Sequence, residues 1–193
     1  MNMKKLISAA VLLAAVGGAS AQVYVGGSVG ATNVNADCSG TSDCKNNDTG
    51  YKLYVGYKLN PVFSVEAGYI NFGKPSATAY VYPYGNIKVD LESSAPFVVG
   101  AVRGNFTPEL SGVARLGLAN METKLKATQV ITSASGSDSK SEIKALFGLG
   151  LEYAFTKSFS ASVEADFSNT TEVISGMGSG SIRMLSIGGQ YHF

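Results

Sequence analysis

The 193-residue chain has no uninterrupted apolar stretch of the roughly 17 to 25 residues that a membrane-crossing helix requires. Residues 96–102 and 145–151, two of its most apolar interior runs, fall well short. If the chain spans a membrane, it must therefore do so as a closed barrel, the other structure that pairs every backbone polar group in lipid. Charge is scarce too. Only 15% of residues are Asp, Glu, Lys or Arg and the net charge is +1, which argues against nucleic acid as a partner. Imidazole is almost absent: His192 is the only histidine, so a catalytic base of that kind has one candidate and a His-rich metal centre has none. There are two cysteines, Cys38 and Cys44, set six positions apart in a stretch of Asn, Asp, Ser and Gly. Without further His or Cys ligands beside them, the expectation for an exported protein is a disulfide that staples a small loop.

Export is what the first residues indicate. Lys4 and Lys5 precede an apolar run over residues 6–16, and Ala19-Ser20-Ala21 supplies the small residues of a cleavage site. A membrane anchor is the alternative, but the run is too short and Gly17-Gly18 interrupts it. Residues 1–21 are thus expected to be a signal peptide cut before Gln22, leaving residues 22–193 as one domain.

Beyond the signal, segments with a period of two alternate with polar connections of two lengths. The short connections are Asn60-Pro61, Thr107-Pro108-Glu109 and Thr156-Lys157-Ser158. The long ones cover residues 33–50, 73–92, 122–141 and 168–180, rich in Ser, Thr, Asn, Asp and Gly. Three tight turns and four long loops imply eight strands, and this asymmetry suits an outer-membrane barrel with tight turns in the periplasm and long loops outside. Side chains alternate between the two faces of a strand, so Phe63 opposes Glu66, Leu110 opposes Arg115 and Phe159 opposes Glu164. Tyr51, Leu53, Val55 and Tyr57 likewise oppose Lys52, Tyr54, Gly56 and Lys58. The strand around residues 95–106 is ambiguous, because Phe97 and Val99 would share a face with Arg103.

A soluble sandwich or lipocalin-like barrel also alternates, so the position of the aromatics decides. Tyr57, Phe63, Phe106, Tyr153, Phe155, Phe159 and Tyr191 all stand beside the short turns, where an aromatic girdle would mark one membrane interface. The opposite face carries Glu66, Arg115, Glu152, Glu164 and Asp166 among Gly and Ser, as a hydrated interior would. The fold expected is an all-β, eight-stranded, antiparallel up-and-down transmembrane barrel.

The last strand places Leu185, Ile187, Tyr191 and Phe193 on one face. With Val25-Gly26-Gly27-Ser28-Val29-Gly30, Val65-Glu66-Ala67-Gly68-Tyr69, Ala114-Arg115-Leu116-Gly117, Gly150-Leu151-Glu152-Tyr153-Ala154 and Met184-Leu185-Ser186-Ile187-Gly188, the mature chain resembles the transmembrane domain of the OmpA family. The resemblance implies that Leu185, Ile187, Tyr191 and Phe193 form the signal read by the outer-membrane assembly machinery. It also implies an interior of interlocked acids and bases with small water pockets, in which Glu66, Arg103, Arg115, Glu152 and Glu164 take part by position. Where the family often has an inward base in the seventh strand this chain has Ser162, so its acids are expected to depend on Arg103 and Arg115. The family's peptidoglycan-binding domain does not follow in this sequence, and tethering to the cell wall is not carried over.

Catalysis finds little support. His192 would sit inward at the periplasmic end, and paired carboxylates beside arginines are more simply structural ion pairs. No cofactor is expected. The functional expectation is a non-enzymatic outer-membrane barrel that contributes to envelope integrity and displays four loops to an unknown extracellular partner. A narrow pore for ions or small solutes is the first alternative, and a lipid-modifying enzyme the second. The expected partners are outer-membrane lipid and the assembly machinery.

Overall fold

The computed structural model describes residues 22–35, 43–81, 85–129, 135–170 and 180–193. The expected signal peptide and Cys38 lie outside the described residues. The described residues form ten strands: β1 (Val23–Val34), β2 (Asp43–Lys45), β3 (Asn47–Lys58), β4 (Phe63–Asn71), β5 (Ser76–Val81), β6 (Gly85–Asn105), β7 (Leu110–Gln129), β8 (Ser135–Ala154), β9 (Phe159–Asn169) and β10 (Ser181–His192). Eight of them close a ring in the order β1-β3-β4-β6-β7-β8-β9-β10, with every pairing antiparallel. The seam joins the first and last strands, with Ser28 opposite Gly188 and Tyr24 opposite His192. No helix among the described residues is long and apolar enough to cross a membrane, which says nothing against crossing by strands.

The three short turns share one local solution. Asn60 Oδ1 accepts the N–H of Val62 and Phe63 at 2.9 and 2.8 Å. Thr107 Oγ1 does the same for Glu109 and Leu110 at 3.3 and 3.0 Å, and Thr156 Oγ1 for Ser158 and Phe159 at 3.3 and 3.0 Å. A short polar side chain that captures the amides two and three positions on fixes a tight reversal.

At the other end, the expected long loops differ from the structure. Residues 76–81 and 85–92 form a ribbon, and β7 and β8 stay paired from the barrel wall out to Thr128 opposite Ser135. Ser and Thr alternating with Lys, Val and Leu read as loop composition, yet cross-strand pairing holds them extended. β2 adds to β5, so a sheet of β2, β5, β6, β7 and β8 projects beyond the ring. β4 and β5 follow one another along the same edge of β6, separated by a break at Gly73, whose φ of 80° lies in the left-handed region. In β6 the ladder to β7 skips Ala95 and Pro96, where proline has no N–H to donate.

The wall faces outward with Val29, Leu53, Val98, Leu116, Leu149, Val163 and Ile187, all exposed. Aromatics edge this band on both sides. Tyr57, Phe63, Phe106, Phe155, Phe159 and Tyr191 lie at the short-turn end; Tyr51, Tyr69, Phe147 and Phe167 lie at the projecting end.

Candidate functional site

The interior of the ring collects nearly all of the wall's charged side chains, and it is built in two layers. In the layer toward the short turns, Arg115 of β7 stands at the centre, 3% exposed. Its Nε lies 2.7 Å from Glu66 Oε2, and its Nη2 lies 3.1 Å from Glu152 Oε1 and 3.5 Å from Glu164 Oε1. Arg103 of β6 sits below it: Nη2 donates to Glu66 at 3.0 Å and to the Tyr24 hydroxyl at 2.9 Å, Nε to Glu152 at 3.0 Å and Nη1 to Ser64 at 2.5 Å. Tyr24 donates in turn to Glu66 Oε1 at 2.6 Å, and Gln190 Nε2 donates to Glu152 Oε1 at 2.6 Å. The five charged residues singled out from the sequence, Glu66, Arg103, Arg115, Glu152 and Glu164, are thus brought into one cluster.

A third base was missed in that role. Lys52 of β3, 1% exposed, reaches Glu164 Oε2 and Asp166 Oδ2, each at 2.7 Å. The acids of β9 therefore lean on Lys52 as well as on Arg115. Its position on the polar face was visible in the alternation of β3, but parity does not say which side chains meet across a lumen. Every one of the eight barrel strands contributes to the cluster or to its hydrogen bonds, since Tyr24 comes from β1 and Gln190 from β10. Charges this deeply buried persist only when each has a partner.

Toward the projecting end, the interior turns apolar. Ile70, Phe72, Ala95, Phe97, Val99, Met121, Leu146, Ile182 and Met184 are buried in a continuous cluster. The ambiguity at residues 95–106 resolves here: Phe97, Val99, Ala101 and Arg103 all point inward, Phe97 and Val99 in the apolar cluster, Ala101 opposite Arg115 and Arg103 in the ionic layer. The polar interior expected from the sequence is thus joined, toward the projecting end, by an apolar layer that the alternation did not reveal.

Tyrosine rings occupy the space above inward glycines. Tyr24 is paired with Gly56 and Tyr54 with Gly26, and a Cβ on either glycine would overlap the facing ring. This packing holds Tyr24 where its hydroxyl meets Glu66 and Arg103.

His192 is half-buried near the short-turn mouth, its Nε2 3.4 Å from Ser160 Oγ. Its Nδ1 has no hydrogen-bond partner among the described residues, so the pair lacks the carboxylate that orients a Ser–His couple in a hydrolase. Among the described residues, no group of three or more His, Cys, Asp and Glu could hold a metal ion. Leu185, Ile187, Tyr191 and Phe193 line the outer wall of β10 and its end, all exposed. Cys44 lies in β2 opposite Ala77, while its expected partner Cys38 is outside the described residues.

The family model of the OmpA-like transmembrane domain matches residues 18–193. No protein of curated function matches the chain by sequence. Among solved structures, Ail, the attachment invasion locus protein of Yersinia pestis, in complex with the heparin analogue sucrose octasulfate, is 17% identical with a TM-score of 0.55, covering 89% of this chain and 99% of that one. Neisserial surface protein A is 12% identical with a TM-score of 0.55, covering 89% and 97%. The outer membrane protease OmpT of Escherichia coli is 9% identical with a TM-score of 0.52, covering 90% and 97%. Identities this low speak for the fold alone. The family match spans every described strand, and the chain belongs to the OmpA-like transmembrane domain family, as a bacterial outer-membrane β-barrel.

Proposed function

We propose that this protein is a non-enzymatic barrel that braces the outer membrane and carries a projecting β-sheet as a platform for an extracellular partner. The observation that carries this reading is strand length. β6, β7 and β8 run for 21, 20 and 20 residues, whereas a tilted membrane strand takes about 9–11. Roughly half of each strand therefore stands outside the bilayer, in register with its neighbour. An ordered sheet presents a fixed surface at low entropic cost on binding.

The reading further takes residues 1–21 as the export signal and the Leu185, Ile187, Tyr191 and Phe193 edge as the element recognised during assembly. It takes Cys38 and Cys44 as an oxidised pair in the surface region. Ail was solved with a sulfated sugar, which makes sulfated glycans a reasonable first probe for this chain. The test replaces residues 76–92 and 123–140 by tight turns. The shortened barrel should keep its heat-modifiable fold and lose binding of whole cells to immobilised host matrix and to heparin. Retention of full binding would overturn the platform reading.

A narrow pore is the second reading, favoured by buried lumen atoms without a protein partner among the described residues: Arg115 Nη1, Ser162 Oγ and Gln190 Oε1. Water satisfies such atoms. Conduction would also have to pass the apolar layer, which water crosses reluctantly.

A further inference from the structure

Charged side chains on the membrane-spanning wall point inward, with one exception at the outer rim. Arg183 of β10 is exposed and shares its face with Leu185, Ile187 and Tyr191. Tyr191 belongs to the aromatic edge at the short turns, and the stretch from Arg183 to Tyr191 is nine residues long. Since a tilted strand crosses the hydrocarbon in about 9–11 residues, this places the guanidinium at the opposite interface, level with the headgroups of the outer leaflet.

The ring continues this row. Arg183 is opposite Asn33 of β1, and Asn33 is opposite Asn47 of β3. Asn33 Nδ2 donates to Asn47 Oδ1 at 2.6 Å, which leaves the Asn47 amide N–H groups free to donate outward. Two positions beyond Asn47 stands Lys45, also exposed. Four cations elsewhere on the projecting sheet are paired, Lys74 with Glu92, Lys88 with Asp90, Lys124 with Glu122 and Lys140 with Glu142, while Lys126 of β7 is not paired among the described residues. Arg183 and Lys45 have no carboxylate partner among the described residues. Below them the wall is apolar, with Leu185, Val29 and Ile187 exposed to lipid.

We propose that Arg183 and Lys45, with the Asn33 and Asn47 amides between them, form a binding site for the phosphorylated headgroup of an outer-leaflet glycolipid. Strands stand about 4.8 Å apart and rise about 3.3 Å per residue. The backbones of Arg183 and Asn47 are then about 10 Å apart, with Lys45 about 7 Å further along. That span suits a headgroup bearing two phosphates better than one bearing a single phosphate. The guanidinium offers paired donors to one phosphate and the lysine a point charge to the other. Acyl chains leave such a headgroup directly onto Leu185 and Val29.

The test uses the folded full-length barrel in a neutral detergent, titrated with diphosphoryl lipid A, monophosphoryl lipid A and inorganic phosphate, with bound lipid read by native mass spectrometry. The wild type should hold the diphosphoryl form at least tenfold more tightly than an R183E/K45E variant, with the monophosphoryl form between. R183K should keep most of the binding, and K124E/K126E, on the projecting part of β7, should bind as the wild type does. Undiminished binding by R183E/K45E would overturn the site. Saturation by inorganic phosphate at the concentration that suffices for lipid would overturn the lipid as its occupant.

Discussion

Lys52 marks how far a single strand's pattern can be read. Alternation alone put it on the polar side of β3, but its contacts with Glu164 and Asp166 depend on the diameter and stagger of the closed ring. Arg115 was legible as inward on the same grounds, and the structure shows three carboxylates around it. Removing one member of such a buried cluster strands its partners, at a cost of about 3–5 kcal/mol. Arg115→Glu should accordingly lower the temperature at which the barrel loses its heat-modifiable mobility, and adding Glu152→Arg should restore part of the loss. An unshifted single variant would show that the cluster contributes nothing to stability. The glycines beneath the tyrosine rings make a second test. Gly56→Ala pushes Tyr24 out of its seat and should cost about 1–3 kcal/mol by overpacking, measured by urea unfolding in lipid vesicles. Combining it with Tyr24→Ala, which clears the space, should give less than the sum of the two losses.

At the level of elements, the eight wall strands and three tight turns were readable, because a half-buried strand advertises itself by period two. The ribbons of residues 76–81 with 85–92 and of 123–129 with 135–140 were not. Their composition is that of loops, and what makes them strands is pairing with neighbours that a linear pattern cannot identify. The apolar layer was equally hidden, since Phe97 and Val99 break the expected polarity of an inward face and left that strand's orientation open. Two outcomes test this scale. Cys38→Ser with Cys44→Ser should leave a folded barrel with an unchanged unfolding midpoint, since a loop this short adds local order only. Free thiols in protein isolated under oxidising conditions would contradict the pairing. Deleting Phe193 removes the last apolar side chain of the outward row on β10 and its neighbour contact with Tyr191, where the rings meet edge-on at 5.1 Å. Outer-membrane levels at native expression should fall and periplasmic levels rise; equal levels would argue against an assembly role.

For the whole molecule, two barriers of different chemistry lie in series along one lumen. Neither alone decides whether ions pass. In planar bilayers the wild type should conduct little, and Arg115→Ala, which breaches only the ionic layer, should open rarely. Paired Met121→Gly and Phe72→Gly, which breach only the apolar layer, should do the same. Combining all three should raise open probability well beyond either alone. Frequent openings in the wild type would instead favour the pore reading.

The seam between β1 and β10 gives the ionic cluster one more consequence. Tyr24 and Gln190 lie on the two terminal strands, and Ser186 Oγ donates to Ser28 Oγ across the junction at 3.2 Å. An unclosed sheet presents its arginines and glutamates with incomplete company, a poor fit to hydrocarbon. Only a sheet whose first and last edges have met, in the right register, gathers all of these groups together. The cluster therefore favours the finished cylinder energetically over partly zipped or misregistered sheets, in which some of these charges would lack partners.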